Sequence, residues 1–174
     1  MAEKVILKSL DKSGVATITL NRPDVFNGYN EELLTNLQNA ITELESDSSV
    51  RLIMLRGAGK HFSAGADVNW FQELAESSSD VQLAAARLST GTMRALDKCL
   101  KPTIALIHNA CFGGGTGYAA ACDIVIASED ARFAITEVRV GITPAPIISQ
   151  MITAIGSRQM RRYALTAETF DVVQ

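Results

Sequence analysis

Two short runs of small residues carry the chemistry most readily, His61-Phe62-Ser63-Ala64-Gly65-Ala66-Asp67 and Ala110-Cys111-Phe112-Gly113-Gly114-Gly115-Thr116-Gly117. Each stands between a strand-like segment and the start of a helix. A helix that opens in such a loop has unpaired backbone N–H groups, and its dipole favours negative charge. Small side chains let a ligand come against the backbone. The chemistry on offer is stabilisation of an anion by main-chain donors. Tight packing of helix on strand uses the same glycines, so neither run decides by itself. Neither is a Walker sequence, and the second matches a dinucleotide fingerprint only weakly.

Among the side chains, Glu137 follows a short strand and precedes a loop at 141–146. Burial beside Phe133, Ile135 or Ile142 would raise its pKa towards that of a working acid or base. A lone glutamate in a loop is more often a solvated charge. Asp67 and Asp123 have the positions of helix or loop caps. His61 and His108 are too far apart for a local metal motif, and no metal is expected. Ser63 lies in F-S-A-G, which is not the G-x-S-x-G of a nucleophile elbow. Trp70 and Phe71 fit an acyl path or plain burial equally well.

These residues need a scaffold. With 174 residues, 47% hydrophobic and 20% charged, the chain can bury the core of one domain. A net charge of -3, with both signs mixed along the chain, offers no field for a nucleic acid. The opening twelve residues include Glu3, Lys4, Lys8 and Asp11, and no run elsewhere is long and uncharged enough for a membrane helix. A soluble, cytoplasmic protein is the expectation. Cys99, Cys111 and Cys122 are odd in number and lack C-x-x-C spacing, which points to buried thiols rather than a disulfide framework.

The β-branched segments 5–7 and 15–20, with a turn at 11–14, predict a hairpin. Asn30 predicts an N-cap, and Leu33, Leu34, Leu37, Ile41 and Leu44 one apolar helix face ending near Glu45. Further strands are expected at 51–55, 103–107, 124–127 and 132–134. Helices are expected from near Asp67, over 81–100 up to Pro102, from the glycine cluster to Ala121, and over 147–155 and 158–165. Alternating strands and helices give an α/β fold with helices covering buried sheets.

The runs F-S-A-G-A-D at 62–67, F-G-G-G at 112–115, A-C-D-I-V-I-A-S at 121–128 and A-R-F-A-I-T-E-V-R-V-G at 131–141 resemble the crotonase, or enoyl-CoA hydratase/isomerase, family. The resemblance implies the crotonase fold, a spiral of ββα units, with 1–174 as a core domain lacking the C-terminal helices that build trimers. It implies an acyl-CoA thioester bound between the two loops, with the N–H groups of Ala64 and Gly114 as oxyanion donors. Ser63, Gly65, Ala66, Asp67, Gly113, Gly117 and Asn27 would complete the substrate contacts, and Glu137 occupies the position of the family's second catalytic glutamate. The first glutamate is replaced by Gly117. Coenzyme A enters only as part of the substrate, and no cofactor is implied.

Segments 133–144, 154–157 and 161–168 are similar to bacterial 3-methylglutaconyl-CoA and isohexenylglutaconyl-CoA hydratases, whose substrates carry a second carboxylate that Arg139 could meet. The implied activity is hydration of such a branched enoyl-CoA. A double-bond isomerase using Glu137 as single base and an acyl-CoA binder without turnover stay open. A homotrimer or dimer of trimers is implied for the full-length protein. RNA binding, known in one relative through lysines on an early helix, is not expected, since 31–45 holds no Lys or Arg.

Overall fold

The computed structural model describes residues 4–174; Glu3, one of the charges read in the opening stretch, lies outside the described residues. Strands β1 (Ile6–Leu10) and β2 (Val15–Leu20) form the expected antiparallel hairpin. Its turn is organised by Asp11, whose Oδ1 accepts from the N–H groups of Ser13 and Val15. Along β2 burial alternates, so Ala16, Ile18 and Leu20 face inward. Helix α1 (Glu31–Ser46) starts where Asn30 Oδ1 accepts from Leu33 N at 3.0 Å, and its buried leucines close over that face.

The chain then adds β3 (Leu52–Gly57), α2 (Val68–Ala75), α3 (Ser79–Asp97), β4 (Thr103–Ile107), β5 (Ala110–Phe112), α4 (Gly114–Ala121), β6 (Ile124–Ala127) and β7 (Arg132–Ala134). Strands β2, β3, β4 and β6 run parallel, giving one sheet in the order β1-β2-β3-β4-β6 with Ile18, Leu55, Ala105 and Val125 in one row. A second sheet holds β5, β7 and the short β8 (Phe170–Asp171). Single-residue bridges extend it, Ser63 to Cys111 and Ala66 to Tyr29. Each turn of chain thus places one strand in the large sheet, a short piece in the second, and then a helix. This is the ββα spiral expected, and its short pieces bring Tyr29, 63–66, β5 and β7 side by side.

Helix α5 (Ile148–Thr166) is interrupted at Gly156, whose φ of 75° and ψ of 157° leave the helical region, so two helices predicted there are realised as two arms. The covering of the sheets is less complete than expected. At the β6 edge Ile124, Val125 and Ile126 are about half exposed, because no helix among the described residues packs on that end. Cys111 and Cys122 are buried and Cys99 half-buried, as free thiols. Among the described residues, no helix is long and apolar enough to cross a membrane.

Candidate active site

The first loop is fixed on both sides. Ser63 pairs with β5, its N–H donating to Ala110 O and its carbonyl accepting from Phe112 N. One residue later the Ala64 N–H turns the other way and donates to Phe26 O at 3.0 Å. Gly65, at φ 96°, then breaks the alternation of the strand. Its carbonyl accepts from Tyr29 N at 2.9 Å, and Asp67 N donates to Tyr29 O at the same distance. In a planar trans peptide the N–H points opposite to the carbonyl. The Ala66 N–H is therefore directed away from Tyr29, and it has no backbone partner among the described residues.

The second loop has the same construction. Gly113, at φ 51°, turns the chain from β5 into α4, and its carbonyl accepts from both the N–H and the hydroxyl of Thr116, the latter at 2.6 Å. That peptide plane holds the Gly114 N–H out from the first turn of α4, where an N–H has no intrahelical partner. The two loops touch: a β-carbon placed on Gly65 would lie 3.6 Å from Gly114 N.

Glu137 completes the group. It opens a short 3-10 helix, Glu137–Val140, that Gly141 closes at φ 75°. Arg139 ties this turn to the end of α5 by donating to Ala167 O. The carboxylate reaches back over the second loop, its Oε1 lying 3.4 Å from where Gly113 would carry a β-carbon. Its Oε2 is buried with no hydrogen-bond partner among the described residues. Burial raises the Glu137 pKa, against the opposing pull of the Glu137 and Thr136 backbone groups. Ala64, Ala66, Gly113, Gly114 and Glu137 all line one cavity of about 780 Å³, walled by apolar side chains of α2, α3 and the 142–147 segment. Its size suits a small-molecule ligand.

The profile of the enoyl-CoA hydratase/isomerase family matches residues 11–173. The chain belongs to the enoyl-CoA hydratase/isomerase family. It is 34% identical over 174 residues to the mitochondrial Delta(3,5)-Delta(2,4)-dienoyl-CoA isomerase of Dictyostelium discoideum, covering 95% of this chain and 59% of that one. It is 41% identical over 137 residues to the short-chain-enoyl-CoA hydratase of Clostridium acetobutylicum, covering 78% of this chain and 51% of that one. The solved enoyl-CoA hydratase of Shewanella pealeana superposes with a TM-score of 0.94 at 37% identity, over 97% of this chain and 63% of that one. The chain thus spans about three-fifths of the length of the curated relatives it matches.

Within this hydratase/isomerase frame several residues stand otherwise than their sequence predicts. The Ala64 N–H is occupied by Phe26 O, so it is not a free donor; the unpaired N–H of that loop belongs to Ala66. Asn27 is fully buried, and its side chain is spent on Arg22 N, Ala58 O and His61 O. Ser63 donates its hydroxyl to Asn27 O, and Gly65 is turned into the loop contact. Asp67 caps α2 through Asn69 N and pairs with Arg22 at 2.8 Å. Gly117 faces Ile147 inside the protein. These five shape the loops and do not line the cavity. Trp70 and Phe71 do line it, and so does Tyr29, which the sequence reading passed over. The signal for Ala66 was Gly65 itself, since a glycine at positive φ reverses which neighbour's N–H faces a ligand.

Proposed function

We propose that this chain carries the thioester-binding and proton-transfer centre of an enoyl-CoA hydratase. The N–H groups of Ala66 and Gly114 hold the thioester oxygen as it becomes an enolate, and Glu137 moves the proton. The observation that carries this reading is the pair of fixed peptide planes whose free N–H groups border one cavity with a buried, partly unpaired carboxylate. Such donors act on charge that develops only in the reaction, and losing one costs about 3 kcal/mol in comparable sites. No cofactor is required, since coenzyme A arrives with the substrate. The full-length protein would work as a homotrimer or a dimer of trimers.

The acyl group is a branched, 3-methylglutaconyl-like one, and the support for this is Arg139, which lines the cavity. Its guanidinium has donors left after Ala167 O is served. A plain C4 enoyl-CoA hydrated as fast as a glutaconyl-CoA would remove this part. A double-bond isomerase with Glu137 as single base is the second reading, favoured by the absence of a carboxylate at Gly117. Glu137→Gln tests the centre itself. Turnover should be lost while acyl-CoA still binds; equal rates would take Glu137 out of the mechanism.

A further inference from the structure

Adding water to a conjugated thioester requires a water held on the carboxylate and aimed at the β-carbon. One carboxylate gives that water an acceptor but no second anchor. Position 117, three residues along α4 from Gly114, cannot supply one, because a β-carbon there would lie 2.2 Å from Ile147 Cγ2. Of the other polar side chains on the cavity wall, Ser89 and Gln82 are engaged and Arg139 gives away part of its guanidinium. Thr136 and Thr143 make no side-chain hydrogen bond among the described residues but stand on more exposed segments. Ser89 donates to Ala85 O, Gln82 to Leu74 O and Ser77 O, and Arg139 to Ala167 O.

Tyr29 differs from these. It is buried, yet it lines the cavity, and its hydroxyl lies 2.7 Å from where Gly114 would carry a β-carbon. Unlike the hydroxyls of Ser63, Ser89 and Thr116, that of Tyr29 makes no side-chain hydrogen bond among the described residues. Its backbone is locked by the Gly65 and Asp67 hydrogen bonds, and its ring is held edge-on between Trp70 and Tyr118, each with centroids 6.0 Å away. We propose that the Tyr29 hydroxyl is the second anchor of the reacting water, donating a hydrogen bond to it inside the cavity that Glu137 also lines. Burial and the nearby Glu137 charge both raise the phenol's pKa, so it stays a donor. The inference rests on the hydratase reading of the same site.

The step balances without another reactant. The water oxygen bonds to the β-carbon while its proton passes to Glu137, and the double-bond electrons move to the thioester oxygen between Ala66 and Gly114. The enolate then takes the proton from Glu137 at the α-carbon. Tyr29 keeps its own proton throughout.

Tyr29→Phe removes one oxygen and keeps the ring. The variant and the parent are compared for hydration of an enoyl-CoA, for exchange of the α-proton of butanoyl-CoA in heavy water, for butanoyl-CoA affinity and for thermal unfolding. The hydration kcat should fall by roughly 100-fold, the scale for losing a positioned reactant, while exchange, affinity and unfolding stay as in the parent. Hydration at the parent rate would overturn the proposal, and so would an equal loss of hydration and exchange. Should Phe disturb folding, Tyr29→His, which keeps a donor, must recover more hydration than Tyr29→Leu. A parent that exchanges but never hydrates removes Tyr29's role and leaves the isomerase reading. A parent that does neither overturns the proposed function itself.

Discussion

Ile147 fills the space beside Gly117, its Cγ2 lying 2.2 Å from any β-carbon that position 117 could carry. Met93 Sδ closes the same spot at 3.1 Å, and Ile147 itself is only 1% exposed. Glycine at 117 is therefore built into the packing of α4 under the 145–147 turn, and a carboxylate cannot be restored there by one change. Gly117→Glu should lose stability by about 1–3 kcal/mol or more, the range for overfilling a packed core, and gain no hydration. Pairing it with Ile147→Ala should recover part of the loss in a denaturant titration. A Gly117→Glu protein as stable as the parent would show that this contact yields easily.

Glu137 makes activity and stability respond to pH in opposite directions. Burial raises its pKa above the ordinary 4.5. A carboxyl raised in this way contributes stability that is fully present below the unfolded value and lost as pH rises through the folded one. Glu137→Gln should therefore be more stable than the parent at neutral pH, and the difference should shrink as pH falls through the raised folded value and be gone once pH is below 4.5. Catalysis by the ionised carboxylate should instead rise with pH through that same raised value. Unfolding midpoints and kcat measured across one pH series check both signs. Parallel pH trends would remove the carboxylate from one of the two roles.

Asn27 is the residue whose structural role most departs from its expected one. It sits at φ 54° with a fully buried side chain that accepts from Arg22 N and donates to Ala58 O and His61 O at 2.8 Å each. Truncation to Ala leaves buried backbone groups unsatisfied, at about 1–3 kcal/mol for such a group. Asn27→Ala should lower the unfolding midpoint markedly. Saturating acyl-CoA should shift the variant and the parent by the same amount, since the side chain touches no ligand; a smaller shift in the variant would return Asn27 to the binding set.

How much of this could be read from the residues follows from range. Asn30 as a cap, the leucine face of α1 and the strand at 103–107 are local signals, and the structure reproduces them. The long helix ends at Asp97 rather than at 100, because Lys98 already leaves helical angles three residues before the helix-breaking effect of Pro102 applies. The meeting of the two glycine loops depends on parallel bridges between residues far apart in sequence, such as Ser63 with Cys111, and composition alone does not reveal these. That Ala66 rather than Ala64 offers the free N–H depends on one peptide plane set by Tyr29, which the sequence does not show. Tyr29 itself carried no local signal, as its neighbours Trp70, Gly114 and Tyr118 all come from later segments. The exposed face of β6 likewise contradicts its apolar composition, which speaks of burial without saying by what.

The ion pair of Arg22 with Asp67 holds the first loop from behind. Arg22 Nη2 lies 2.8 Å from Asp67 Oδ2, and a second guanidinium nitrogen donates to Gly28 O, so one side chain clamps both segments that flank Tyr29. Asp67 is 9% exposed and also caps α2, which leaves its carboxylate poorly solvated if Arg22 is removed. Breaking one side of a buried pair costs about 3–5 kcal/mol, and replacing both partners costs far less. Arg22→Met should thus be strongly destabilised, and adding Asp67→Asn should recover much of the loss, since Asn still caps a helix. Because the Tyr29 N–H to Gly65 O bond sets the Ala66 plane, the single variant should also weaken binding of acyl-CoA, whereas the double variant should bind nearly as the parent does. Denaturant unfolding and acyl-CoA titration of the three proteins separate these effects. Normal stability in Arg22→Met would mean that solvent reaches Asp67 and that the clamp is not what fixes the loop.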